Sequence, residues 1–186
     1  MILLLLGCRL VDDADDGACP PWSGLVEQGQ GWVYEQFADG AQSIVVLSSL
    51  GDDAATVSAG TWTETYACDD DGAWLVDRHE AVDAWTARWT FDPPFLAVPR
   101  RLEPGDAWTA DRAWRYVDSD GNEEISSSKV QYEATRYTET WVPAGSWETI
   151  EVHLHDEDGH DDVQFWARGV GLVLGNDVQL VQFGDE

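Results

Sequence analysis

The stretch His79-Glu80-Ala81-Val82-Asp83-Ala84-Trp85-Thr86-Ala87-Arg88-Trp89-Thr90-Phe91 admits two readings, and the choice between them decides the fold. As a helix it would gather Val82, Trp85 and Trp89 on one face, and no Gly or Pro interrupts it. As a strand it sets Trp85, Ala87, Trp89 and Phe91 on one side and Thr86, Arg88 and Thr90 on the other. The alternation runs on through Phe91, and Trp, Thr and Phe favour the pleated conformation, so the strand reading is taken. The same period of two recurs where Ile150, Val152 and Leu154 alternate with Glu151, His153 and His155, and where Val178 and Leu180 flank Gln179.

Turn residues punctuate these runs at 38–40, 69–72, 92–94, 104–106, 118–122 and 156–159, mostly as Asp-Gly combinations. Gly supplies positive φ there and Asp caps the turn. The expectation is an all-β domain: a single antiparallel, strongly curved sheet of about ten strands, a half-barrel or open barrel. A loose internal repeat accompanies it. Residues 31–40 match 113–122, each a Trp-x-Tyr strand entering an Asp-Gly turn, and 59–74 match 144–159, each opening with Ala-Gly-Thr/Ser-Trp. The repeat suggests two similar meanders with 92–106 as the crossover.

Ten Lys and Arg stand against 36 Asp and Glu, for a formal charge of −26. Such a surface repels phosphate backbones, so no nucleic-acid partner is expected. No run approaches the roughly 18 apolar residues of a spanning helix. The one apolar block outside the strand pattern is Ile2 to Leu6, followed at once by the polar, Gly- and Pro-punctuated stretch after Leu10.

Leu5-Leu6-Gly7-Cys8 resembles the lipobox of bacterial lipoprotein signal peptides, in which apolar and small residues precede the cysteine that becomes lipidated. The resemblance implies a lipidated Cys8 as the mature N-terminus, anchored to membrane by several acyl chains. A secretory signal has a basic n-region and a longer apolar stretch than the five residues here, so the signal is expected to extend upstream. With Cys8 assigned to lipid, Cys19 and Cys68 remain as a pair available for a disulfide in an oxidising compartment, the alternative being two buried thiols.

A second resemblance covers residues 92 to 183. The elements Val142-Pro143-Ala144-Gly145 and Gly169-Val170-Gly171-Leu172-Val173, with a Gly-x-x-Trp…Tyr strand before them, look like a pattern of bacterial envelope lipoproteins of unassigned activity. It implies an open, highly curved sheet and carries no catalytic residues across. Read from the residues alone, the first element suits a type I turn and the second a place where a strand bends or is closely approached.

Eleven tryptophans are the other unusual feature. Trp85, Trp89, Trp114, Trp141 and Trp166 are the candidates for a ligand-binding concave face, because a curved sheet can present large apolar side chains to an apolar or sugar ligand. His153, His155, Asp158 and His160 form a weaker candidate metal group around one hairpin. Asp118 to Glu124 begins like a calcium loop but places Glu123 where Gly is required and Lys129 where a bidentate Glu is required. No cofactor is therefore assigned, calcium in the acidic turns being the open option. No nucleophile motif is found, and no catalytic residue is named.

The division expected is a signal remnant and lipidated Cys at 1–8, an acidic flexible tether at 9–28, and a β domain at 29–186. The leading functional expectation is a non-catalytic binding or structural module of the bacterial envelope, lipid-anchored at the outer membrane and facing the periplasm or cell surface. Its partners would be the membrane, through the N-terminal lipid, and a hydrophobic ligand or an envelope protein. The alternative is a carbohydrate-binding module with exposed Trp platforms and calcium in its acidic turns; a metal-dependent hydrolase on the 153–162 hairpin ranks third.

Overall fold

The structure is a computed structural model and describes residues 19–25 and 27–184. Twelve strands follow a 3-10 turn at Pro21–Ser23: β1 (Gly31–Gln36), β2 (Gln42–Leu50), β3 (Ala54–Ala59), β4 (Trp62–Cys68), β5 (Gly72–Val82), β6 (Trp85–Pro99), β7 (Ala107–Asp118), β8 (Glu123–Val142), β9 (Gly145–Asp156), β10 (Asp161–Ala167), β11 (Gly171–Leu174) and β12 (Val178–Gly184). Each pairs antiparallel with its neighbours in the chain, and β1 pairs with β12, from Gly31 opposite Gly184 to Gln36 opposite Val178. The all-β, antiparallel expectation holds. The open sheet of about ten strands does not: the barrel is closed and has twelve. Closure pairs the backbone groups that an open sheet would leave exposed along two edges.

The opening stretch shows one source of the undercount. Residues 79–91 are a hairpin, in which β5 ends at Val82, Asp83 and Ala84 turn, and β6 starts at Trp85 opposite Val82. Asp83 holds φ +54°, the left-handed region. Asp enters that region more readily than most residues, so the turn needs no glycine and leaves no Gly or Pro mark in the sequence.

The expected crossover at 92–106 is corrected as well. Residues 92–99 belong to β6 and 100–106 form the β6–β7 loop. Pro93 and Pro94 cannot donate to a ladder, and the β5 pairing jumps from Thr90 opposite Asp77 to Phe95 opposite Leu75, so none is asked of them. The two similar meanders fail on the same topology. In an up-and-down barrel successive turns alternate between the two ends, which puts the Ala-Gly turn of β3–β4 and that of β8–β9 at opposite ends. The second pair of repeated words shares chemistry and not position, while the first, entering the β1–β2 and β7–β8 turns, shares an end.

One end of the barrel is stoppered by the chain that precedes β1. A Cys19–Cys68 disulfide joins residues 49 apart, with Cα atoms 5.0 Å from each other. Pro20 and Pro21 are fully buried, and Leu25 enters the core. Backbone meets backbone closely here. A Cβ on Gly24 would sit 2.4 Å from the Val170 carbonyl oxygen, and one on Gly171 would sit 2.8 Å from that of Ser23. The Gly169 N–H donates to Pro21 O at 2.8 Å. The Gly169-Val170-Gly171 element is thus where the stopper is approached, as the close-approach reading expects. Cys19 to Leu25, inside the stretch expected as tether, are accordingly packed into this end of the barrel. The remainder of that tether and the lipobox, Cys8 included, lie outside the described residues.

Side chains divide between the two faces by parity. Outward positions on β7 to β10 carry Asp111, Arg115, Lys129, Gln131, Glu133, His153, His155 and Asp161, all exposed. That is the reverse of the apolar outward band of a membrane-spanning barrel. Inward positions form two buried clusters. One, beneath the stopper, includes Leu25, Trp32, Leu47, Val173 and Leu180. The other, across β5 to β9, includes Leu75, Phe95, Tyr132, Ile150 and Val152.

Two outcomes follow for equilibrium denaturation. Cys19→Ser removes a constraint on a loop of 49 residues and lowers stability by about 4 kcal/mol in the chain-entropy description. At the turn, Asp83→Gly leaves stability unchanged or raises it, while Asp83→Val, forced into the left-handed region, costs about 1–2 kcal/mol.

Candidate ligand-binding lumen

A barrel of about eight strands is filled by its side chains or holds one small ligand, and about sixteen leave an aqueous channel. Twelve strands enclose more room than aliphatic side chains fill, and here large aromatic side chains occupy much of it. What they leave is a lumen in two lobes. The first, of about 420 Å³, lies against β1 to β4 and β10 to β12, with Leu25, Trp32 and Val170 of the stoppered end as its floor. Its walls include Tyr34, Val45, Val57, Trp62, Leu172 and Val178, so it is mainly apolar. The second, of about 600 Å³, is bounded by β4 to β8 and β10, with Trp89, Phe91, Phe95 and Trp114 alongside Arg78, Glu80, Arg112 and Gln164. Glu64, Tyr66, Ala97 and Trp166 line both lobes and mark their junction. Both volumes fall within the range of about 300–1,000 Å³ typical of small-molecule sites.

Hydrogen bonds fix the aromatic lining. Trp32 Nε1 donates to Val170 O at 2.6 Å and Tyr34 Oη to Leu172 O at 2.8 Å, which ties β1 to the β10–β11 turn and β11. Trp166 Nε1 donates to Gln164 Oε1 at 3.0 Å. At the junction Tyr66 Oη donates to Glu64 Oε2 at 2.7 Å, and burial, with the Glu64 charge beside it, pushes the Tyr66 phenol well above its ordinary value. Arg78 stands 3.8 Å from Glu64, its guanidinium 5.3 Å from the Trp62 ring centre and 5.8 Å from that of Trp89. Stacked cations of this kind hold aromatic rings in place as well as charge.

Of the tryptophans singled out in the sequence, Trp89, Trp114 and Trp166 line the lumen. Trp85, near the β5–β6 turn, is partly buried but borders neither lobe. Trp141 is 74% exposed on the outside of β8. It shares the odd-numbered positions of β8 with Gln131, Glu133 and Glu139, all of them exposed. Trp32 and Trp62 are the lumen residues the sequence reading passed over. The i, i+2 series Trp32-Tyr34 and Trp62-Glu64-Tyr66 was the available signal. Three of the five rings expected on the concave face thus face the lumen.

The candidate metal group is partly assembled. Asp156, Asp158 and His160 bring potential ligand atoms within 4.8 Å of one another on the exposed β9–β10 turn. His153 is turned to Glu151 at 2.8 Å and His155 to Asp161 at 2.6 Å. In the calcium-like loop, Asp118 Oδ1 accepts the backbone N–H groups of Asp120 and Asn122 at 3.0 and 2.9 Å, and Oδ2 accepts from Asn122 Nδ2 at 2.7 Å. That carboxylate is engaged in holding its own hairpin.

On the outer face, Glu151 is only 7% exposed. The hydrogen bond with His153, supported by Arg136 at 2.8 Å and by Thr135, holds its carboxyl below the usual glutamate range against the opposing effect of burial. A carboxyl depressed in the folded state contributes stability that is present above its unfolded pKa and is lost as pH falls through the folded value. Glu151→Gln is therefore less stable than the parent at pH 7, and the gap narrows as pH is lowered below about 4; unfolding midpoints across that range check it.

No family model and no curated protein matches the chain. Among solved structures, it is similar to a protein of Parabacteroides distasonis provisionally named a lipoprotein, at 10% identity and a TM-score of 0.44, over 89% of this chain and 99% of that one.

Proposed function

We propose that the chain is a lipid-anchored protein of the bacterial envelope whose barrel takes up a small apolar or amphipathic molecule. The observation that carries the binding role is the lumen itself, a two-lobed space lined by Trp32, Trp62, Trp89, Trp114 and Trp166 and floored at one end by a disulfide-held stopper. Trp32, Tyr34 and Trp166, fixed by hydrogen bonds, and Trp62 and Trp89, flanking the Arg78 guanidinium, offer a preformed apolar surface, so little ordering is required of the site when a ligand enters. The role proposed is binding: at the junction of the lobes Glu64 is held by Tyr66 and Arg78 as part of the wall.

The anchor rests on the lipobox resemblance of Leu5-Leu6-Gly7-Cys8. The stopper gives it an orientation. Cys19 is fixed at the closed end, and the chain from residue 8 to residue 19 reaches at most about 40 Å when extended. We place the closed end nearest the anchor, with the mouth, ringed by the β3–β4, β5–β6 and β7–β8 turns, at the far end. At −26 the surface is unsuited to nucleic acid or to lying on anionic lipid, so the attachment falls to the lipid alone.

Titration of the full chain with dodecanol, read by tryptophan emission, tests the lumen. A saturable change that weakens in Trp62→Ala is expected, and no response over the soluble range contradicts the reading. The anchor has a separate test. Cys8→Ala moves the protein from the membrane fraction to the soluble one, and retention in the membrane contradicts it.

A further inference from the structure

Four cations of this acidic chain sit outside in ion pairs. Arg88 meets Asp77 at 2.6 Å, Arg115 meets Glu123 at 2.8 Å, Lys129 meets Asp111 at 3.0 Å and Arg136 meets Glu151 at 2.8 Å. Arg112 departs from that pattern. It projects from β7 into the second lobe and, among the described residues, has no carboxylate within 4.0 Å. Its Nη2 donates to Tyr132 Oη, its guanidinium lies 5.1 Å from the Phe95 ring centre, and its Nε–H is buried without a partner. Tyr132, having accepted that bond, keeps its own phenolic proton to donate. Arg78 borders the same lobe, and its Nε–H is likewise buried and unpartnered.

In a chain with 36 acidic side chains, carboxylates to pair with Arg112 are plentiful, yet among the described residues none lies within 4.0 Å of it, Glu64 and Glu80 of the same lobe included. A guanidinium held among aromatic rings with an unused donor is costly unless an anion completes it. We propose that the second lobe receives the anionic oxyacid head of a single-chain amphiphile, a carboxylate or a phosphate, while its apolar chain passes the Tyr66–Trp166 junction into the first lobe. Arg112 and Tyr132 supply the principal donors and Arg78 a further one. A planar guanidinium offers paired N–H groups to either oxyacid, which an ammonium does not. Glu64 does not compete for Arg112, since it is held by Tyr66 and Arg78. Glu80, on β5 two residues before Val82, lines the lobe near the mouth and disfavours a head left at the entrance. The assignment rests on the lumen reading above and adds the chemistry of the head.

The test compares four ligands of one chain length below their micelle concentrations: dodecanoate, dodecyl phosphate, dodecanol and dodecyltrimethylammonium. Binding to the full chain is read by tryptophan emission, with unfolding curves confirming that each variant is folded. At least one anion is expected to bind roughly tenfold tighter than dodecanol, the gain of one charge-assisted hydrogen bond, and the cation more weakly than dodecanol. The two anions together distinguish a carboxylate from a phosphate source. Arg112→Gln is expected to bring the affinity of the anions down to that of dodecanol for the same variant. Should Arg112→Gln fail to fold, Arg112→Lys decides, with a reduced preference expected. Equal binding of dodecanol and both anions, or a preference that survives these substitutions, overturns the head assignment while leaving the lumen reading in place. Failure of all four ligands to bind overturns both.

Discussion

Everything in this structure depends on the pairing of β1 with β12. Those strands stand at opposite ends of the chain, Gly31–Gln36 and Val178–Gly184, and their ladder is the step that turns a meander into a barrel. Contacts so distant in sequence are entropically costly to form, and neighbouring hairpins do not supply them. Side chains reinforce the ladder on both sides. Trp32 packs on Phe183 with ring centres 6.3 Å apart, and Phe183 in turn meets Trp147 edge-on at 5.6 Å. The hydrogen bonds of Trp32 and Tyr34 to Val170 and Leu172 carry the seam further round the wall.

Once closed, a twelve-stranded wall faces a problem of filling. Its interior must be occupied by large side chains, sealed, or left wet. This chain does some of each. The clusters around Leu47 and Leu180 and around Ile150 and Val152 are dense, and the stopper seals one end. Between them and the mouth the tryptophans stand apart, braced by Arg78, Glu64 and Gln164. The same feature thus accounts for the unusual tryptophan content and for the space that makes the lumen a site. Trp32 is core and wall at once, while Trp89, Trp114 and Trp166 are wall.

The strand content was legible because period-two alternation is local, and the disulfide pair emerged from cysteine parity once Cys8 was assigned to lipid. Closure was not legible, since no local pattern distinguishes strands bound for a barrel from those of an open sheet. The 79–91 hairpin was hidden by Asp83 doing what glycine usually does. Trp141 was misplaced because it shares the exposed odd-numbered positions of β8 with Gln131, Glu133 and Glu139, and a Trp among polar residues does not by its type declare its face. Arg112 was invisible as a lumen residue for a different reason. In Asp111-Arg112-Ala113-Trp114-Arg115 a charged residue looks solvent-facing, and only the inward parity of Trp114 hints otherwise.

The central claim is that the wall is closed, and amide hydrogen exchange tests it most directly. In a closed barrel the amides of β1 are hydrogen-bonded to β2 on one side and to β12 on the other. Both β1 and β12 should then exchange slowly, with protection comparable to that of the β8–β9 ladder. In an open sheet, alternate amides of β1 and β12 would face solvent unpaired. Rapid exchange of every second amide along Trp32 to Gln36 and along Val178 to Phe183 would contradict closure, and with it the enclosed lumen.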